Sequence, residues 1–379
     1  MTSRKTTLYW RPIRDIIQNN FGKGEIKMNK KKGNSNLTMT LLKGRTLFVL
    51  IILFIFFSIK AESFCTVNSL LLICKHVAQY GILGIGMTYV IITGGIDLSV
   101  GSVVGLVGML AGGFIQEGLT LKFAGVTLYF SVPLITIICI LIGILIGVVN
   151  GWLIAKCKLA PFIVTLGTMY ICRGLANLRS GGNTFSTIKG NEALGNVGIM
   201  SFDSRVFAVG RFPGIPISAI LFLILALVAA FVLKKTPFGW HILAIGGNEK
   251  AARLSGIKVE KNIILVYAIS GACSALIGLV TMAQIAASHP NTGDSWEMNA
   301  IAAVVLGGTS MAGGVGTIGG TVIGAFVIGV INDGMTMCGV SEFWQKVIKG
   351  LVIILAVLID QFQRNLQAKM ALQARNESK

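Results

Sequence analysis

From Met298 to Asn332, thirty-five consecutive residues pass without an Asp, Glu, Lys or Arg, and 123–155 and 262–293 are nearly as long. About 20 apolar residues span the hydrocarbon core of a bilayer. Runs of this length cannot be wrapped into a soluble body whose surface must face water. Further uncharged runs cover 46–59, 76–96, 98–116, 159–172, 212–233 and 350–359. Composition agrees: 54% of residues are hydrophobic and 13% charged, against about 25% charged in ordinary globular chains. A soluble reading of 379 residues, with roughly two or three domains, is excluded. The fold class expected is an all-α polytopic membrane protein.

The net charge of +18 would suggest nucleic acid if it lay on one soluble face. Instead, residues 1–45 hold eleven Lys/Arg against Asp15 and Glu25, and much of the remainder flanks apolar runs. No basic patch is interleaved with aromatics. The seven cysteines (65, 74, 139, 157, 172, 273 and 338) form no CxxC pair and fall mostly inside apolar runs. That pattern suits small packing residues and nominates neither a metal site nor a disulfide.

Polar and Gly-rich breaks divide the runs into about ten helical crossings, near 45–60, 70–93, 97–116, 130–154, 159–178, 214–233, 262–286, 297–312, 318–338 and 343–361. With both termini inside, the inner segments carry 23 basic residues and the outer segments seven. This imbalance favours cytoplasmic termini and an even number of crossings. The expected organisation is a basic cytoplasmic extension over 1–44, a transmembrane domain over 45–361 with a cytoplasmic loop at 234–261, and a cytoplasmic tail over 362–379. The extension resembles neither a signal peptide nor a domain. Gly24-Glu25-Ile26-Lys27 precedes Met28, and a purine-rich coding stretch there makes Met28 a candidate translation start.

A weak internal two-fold repeat is visible. Ile91-Ile92-Thr93-Gly94-Gly95-Ile96-Asp97 and Val304-Val305-Leu306-Gly307-Gly308-Thr309-Ser310 each join an apolar stretch, a Gly-Gly break and a small-residue segment. Repeats with broken helices are common in transporters. Gly314-Val315-Gly316-Thr317-Ile318-Gly319 satisfies GxGxxG, but an uncharged membrane run is the wrong setting for a dinucleotide fingerprint. Gly316/Gly320/Gly324, Gly101/Gly105 and Gly143/Gly147 instead have the spacing that lets membrane helices approach closely. The chain has no Walker A, HExxH or GxSxG sequence, so no catalytic or metal-ligating residues are nominated.

Two segments stand out. Asp97 is the one acidic residue within the apolar N-terminal half, where a charge is costly and usually faces a cavity or a partner. Either Asp97 or Ser99 would cap the next helix. Capping and a role on a solute path are compatible, because irregular backbone is tolerated in a membrane where it is buried or lines a cavity. In 234–261, Gly246-Gly247 breaks the chain, Asn248 is a good N-cap, and Glu249–Leu254 forms a short helix closed by Gly256 in the left-handed region. Two turns are not stable alone, so this helix docks either on its own bundle or on a cytoplasmic partner.

The blocks at 86–102 (GMTYVIITGGIDLSVGS), 151–174 (GWLIAKCKLAPFIVTLGTMYICRG), 239–257 (GWHILAIGGNEKAARLSGI) and 301–325 (IAAVVLGGTSMAGGVGTIGGTVIGA) together resemble the permease subunit of ribose-type ABC sugar importers. The resemblance runs from about 45 to 361, and the 1–44 extension is longer than the family's usual N-terminus. It implies a multi-pass subunit of a bacterial cytoplasmic membrane that pairs with a second permease copy or a sister permease. It also implies a cytoplasmic ATPase, which uses ATP and Mg while this chain binds no cofactor, and an extracytoplasmic sugar-binding protein. Gly246, Gly247, Asn248, Glu249, Ala252, Arg253, Leu254 and Gly256 then match the coupling helix that docks on the ATPase. Asp97, Ser99, Ser102, Thr309 and Ser310 are the candidates for lining the sugar path. Ribose is the sugar the resemblance favours, although related permeases serve other sugars. The competing class, an ATP-independent carrier, would be expected to show intramembrane ion-coupling carboxylates. Here Asp97 stands almost alone, with Asp333 and Glu342 near an outer edge.

Overall fold

The computed structural model describes residues 32–377 except 122–124, 187, 189, 192–195, 198–204 and 207–213. Met28 and most of the basic extension lie outside the described residues. Residues up to Arg45 and residues from Thr46 form two separate compact units. Of the first unit only 32–45 is described, as helix. The second is treated below.

Twelve helices are described: α1 (Lys32–Lys60), α2 (Val67–Ile92), α3 (Val100–Gln116), α4 (Val132–Lys156), α5 (Pro161–Ser180), α6 (Ile217–Lys235), α7 (Pro237–Gly247), α8 (Glu249–Leu254), α9 (Val259–Ile285), α10 (Trp296–Leu306), α11 (Ile318–Met337) and α12 (Glu342–Glu377). A helix occupies each of the ten intervals expected. Five of them, α2, α4, α6, α9 and α11, are long and apolar enough to cross a membrane. The all-α expectation omitted three two-stranded antiparallel hairpins: β1 (Leu119–Leu121) with β2 (Val126–Leu128), β3 (Gly190–Asn191) with β4 (Asn196–Val197), and β5 (Arg205–Val206) with β6 (Ile215–Pro216). All lie in connections between helices.

Helix α2 forms the centre of the unit. Every residue from Gly81 to Ile92 is buried, as expected of a helix that is apolar all round. It packs on α6, α9, α10 and α11. Its few polar groups are satisfied internally: Thr88 shares a 2.6 Å hydrogen bond with Thr321, and the Tyr89 hydroxyl donates to the Ala229 carbonyl at 2.7 Å.

Glycine sets the closest helix contacts. A Cβ on Gly143 would lie 2.5 Å from the Gly271 carbonyl oxygen, and one on Gly147 would strike the Tyr267 carbonyl, so α4 and α9 meet backbone to backbone. Gly320 and Gly324 of α11 press likewise on Gly307 and Ala303. Gly101 and Gly105 depart from expectation. They admit the backbone of the turn segment 290–293 rather than that of another helix.

The helix that follows shows a second difference. The interval read as a crossing at 297–312 holds only the eleven-residue α10, about 16 Å of helix at 1.5 Å per residue. The residues before it run as successive turns along α3. Ser288 Oγ donates to the Gly108 carbonyl at 2.7 Å, Thr292 O stands over Gly105, and Gly293 reaches Gly101.

The two Gly-Gly breaks close in the same way. After α2, Gly94 N–H donates to Ile91 O and Gly95 N–H to Val90 O. After α10, Gly308 N–H donates to Val305 O and Thr309 N–H to Val304 O. Both are Schellman caps with a left-handed glycine, at φ +80° for Gly94 and +88° for Gly308. The likeness in sequence is therefore a likeness in hydrogen bonding.

Candidate functional site

The chain between α2 and α3 places Asp97 in the interior, with 2% of its surface exposed. Its Oδ1 accepts the Ser99 amide at 3.0 Å and the Ser99 hydroxyl at 2.6 Å, and its Oδ2 accepts the Ser270 hydroxyl of α9 at 2.7 Å. Asp97 thus anchors the start of α3 through the Ser99 amide. Ser99, in the cap position, makes no capping bond with its own side chain. Its Oγ instead accepts from Asn150 Nδ2 of α4 at 3.1 Å, and Asn150 Oδ1 accepts from Thr168 of α5 at 2.5 Å. A chain of donors from α5 through α4 therefore ends on the carboxylate, with Ser270 reaching it from the other side. Such chains polarise one another in a low-dielectric interior.

Asn150, Thr168 and Ser270 were not singled out from the sequence. Asn150 carried a signal, being an amide in the most apolar of the five long helices. Ser102 is also buried. Thr309 and Ser310 lie in the second break, both buried, with the Thr309 hydroxyl unpartnered and Ser310 N–H donating to Val315 O at 2.9 Å. The five path candidates thus fall into two groups, one at each break, inside the packed protein.

A cleft of about 340 Å³ opens beside the first break, lined by Gly94, Gly95, Lys158, Pro161, Glu249 and Tyr267. Its rim is charged. Arg253 bonds Glu249 at 3.1 Å and Glu260 at 2.5 Å, while Lys158 stands 3.7 Å from Glu249 and 4.0 Å from Glu260. The bonds to Glu260 and Glu249 raise Arg253 further above its ordinary pKa. These exposed pairs contribute little stability individually. They tie the α4–α5 turn to α8 and the start of α9.

Helix α8 forms as its caps dictate. Asn248 Oδ1 accepts the Ala251 amide at 3.0 Å. At the other end Gly256, at φ +84°, donates to Arg253 O while Ile257 N–H donates to Ala252 O. One face of the helix is bound to its own bundle, since Ala252 is buried with Ile245 and Val259. The other is bare, with Leu254 90% exposed.

Two further polar contacts were unforeseen. Arg173 of α5 donates to the carbonyls of Pro290 at 2.6 Å and Thr292 at 2.9 Å, pinning the turn segment to α5. His76 Nδ1 lies 2.7 Å from Asp333 Oδ1, joining α2 to α11. Their sequence separations of 117 and 257 hid both. All seven cysteines are free thiols, with Cys65, Cys157 and Cys338 exposed at helix ends rather than packed between helices.

This arrangement combines broken helices in a polytopic bundle with a capped surface helix. The family described as branched-chain amino acid transport system / permease component matches residues 69–357. The chain belongs to that family. Among the permease's relatives, the ribose import permease protein RbsC of Bacillus subtilis is 43% identical over 316 residues, covering 82% of this chain and 90% of the relative. That of Haemophilus influenzae is 37% identical over 338 residues, covering 88% and 98%. The xylose transport system permease protein XylH of Escherichia coli K12 is 35% identical over 335 residues, covering 76% and 83%. No solved structure gives a significant match. Matches of this extent agree with the resemblance carried by the four sequence blocks, and with a multi-pass membrane permease.

Proposed function

We propose that the permease is the membrane subunit of an ATP-binding-cassette importer for a monosaccharide, ribose or a similar simple sugar. A separate cytoplasmic ATPase would drive it and an extracytoplasmic binding protein would feed it. The observation that carries this reading is α8. A six-residue helix, capped at both ends and held by its own bundle, presents Leu254 bare, which is the shape of a peg for a groove in a partner. The ribose and xylose permeases among its relatives support the sugar class.

In this reading Gly246–Gly256 forms the coupling segment, with Asn248, Glu249, Ala252, Arg253 and Leu254 shaping it. ATP binding and hydrolysis in the partner tilt the permease halves by alternating access. Asp97, Ser99 and Ser102 at one break, and Thr309 and Ser310 at the other, meet the sugar when the breaks part. A second copy or sister permease packs on α5, where Tyr170, Ile171 and Leu178 are exposed and Gly167 and Gly174 have open space beside them. Glycines on an apolar face favour close helix approach. Ten crossings with cytoplasmic termini fit the basic-residue bias, with α10 and the segment before it together making the eighth.

Two experiments test these points. Protein tagged at its C-terminus and purified gently from native membranes is expected to bring down an ATPase subunit. A chain that purifies alone and moves sugar in liposomes without ATP would instead be a carrier. Thiol labelling of Gly190→Cys and Lys250→Cys, in a background lacking Cys65, Cys157 and Cys338, is expected from opposite membrane faces. Labelling from one face would overturn the ten-crossing topology.

A further inference from the structure

Three segments far apart in sequence meet at a single point. The end of α2 contributes Ile92–Gly94, the end of α7 contributes Gly246–Gly247, and the turn before α11 contributes Gly313–Gly314. Gly314 N–H donates to Ile92 O at 2.8 Å. A Cβ on Gly313 would lie 2.9 Å from Gly246 O and 3.1 Å from both Gly94 N and Ile92 O. One on Gly314 would lie 3.0 Å from Gly247 N and Cα. A Cβ on Gly246 would overlap Ile92 O and Gly314 N outright. Gly313 and Gly314 also sit at φ +85° and +75°, where side chains are strained. The contact is thus backbone on backbone from all three directions.

Side chains absorb small displacements by changing rotamer, whereas abutting backbones do not, so close-packed interiors transmit strain. Gly247 is followed directly by Asn248, the cap of α8. Gly94 opens the first helix break. Gly313 and Gly314 belong to the second, held in a turn where Gly313 N–H donates to Ser310 O and Ser310 N–H to Val315 O. Whatever shifts α8 presses first on the ends of both broken helices.

We propose that this glycine junction, with Gly246 as its keystone, carries movement of the α8 segment to the two helix breaks at once. Gly246 is a positioning residue for transport. The proposal rests on the importer reading above, and it adds the route by which an ATPase stroke reaches the solute path. Gly350 of α12 supplies a control, because a Cβ there meets nothing within 4 Å.

In the assembled complex, sugar uptake by Gly246→Ala is expected to fall about tenfold or more, the size of an ordinary coupling free energy. Gly350→Ala should transport within about twofold of wild type. Wild-type uptake by Gly246→Ala, or equal loss in both variants, would overturn the proposal.

A second measurement needs no variant. Hydrogen exchange is followed in the wild-type complex with and without MgATP and vanadate. Peptides covering 88–96 and 308–317 should change together with 244–256. A response confined to 244–256 would overturn the junction alone. Absence of any co-purifying ATPase would overturn the importer reading, and the junction with it.

Discussion

Leu254→Asp is expected to reduce ATP-driven sugar uptake below about a tenth of the wild-type rate, the scale of losing one buried anchor at an interface. The protein should remain in the membrane at its normal level. The physical case rests on exposure. Leu254 is 90% exposed, so the substitution breaks no internal packing, and the caps at Asn248 and Gly256 remain to hold the helix. The aspartate adds a charge at the point that would enter an apolar groove. Arg253→Glu should give a similar loss by a different route, since it sets a third carboxylate beside Glu249 and Glu260, now bonded to Arg253 at 3.1 and 2.5 Å. Uptake by membrane vesicles, normalised to permease content, checks both. Normal uptake in Leu254→Asp would remove the coupling role from α8.

The second large effect concerns Asp97. Asp97→Ala leaves the Ser99 amide, the Ser99 hydroxyl and the Ser270 hydroxyl without their acceptor in a buried place. Each unsatisfied buried donor costs about 1–3 kcal/mol, so the loss should be about 3 kcal/mol or more, with a clear drop in melting temperature in detergent. Asp97→Asn keeps one acceptor oxygen for Ser99 and offers an amide to Ser270, whose hydroxyl can turn to accept. It should melt close to wild type. Uptake by Asp97→Asn then separates two roles: retained transport assigns Asp97 to holding the breaks, and lost transport with retained stability assigns its charge to the sugar path. A normal melting point for Asp97→Ala would show that the donor chain from Thr168 through Asn150 carries no structural load.

The membrane architecture was legible because it depends on local chemistry. Uncharged runs find the helices wherever the bilayer is the solvent, and Asn248 and Gly256 mark the ends of α8 because capping is settled within a few residues. The Gly-Gly breaks were legible for the same reason, since a left-handed glycine ends a helix whatever surrounds it. The path of 288–293 was not, because its partners on α3 and α5 lie 117 or more residues away in sequence. Only its seat on Gly101 and Gly105, with Arg173 holding its carbonyls, fixes that run of turns there.

The sequence by itself determined that this chain is a polytopic membrane permease, which intervals hold its long apolar helices, and which short helix stands at its surface. Tertiary structure alone decided which distant residues meet. Asp97 became the end of a donor chain, His76 found Asp333, and two glycine pairs closed with Ile92 and Gly94 into one junction. Helix ends follow from propensities and caps a few residues wide, whereas those meetings depend on how helices pack across separations of up to 257 residues.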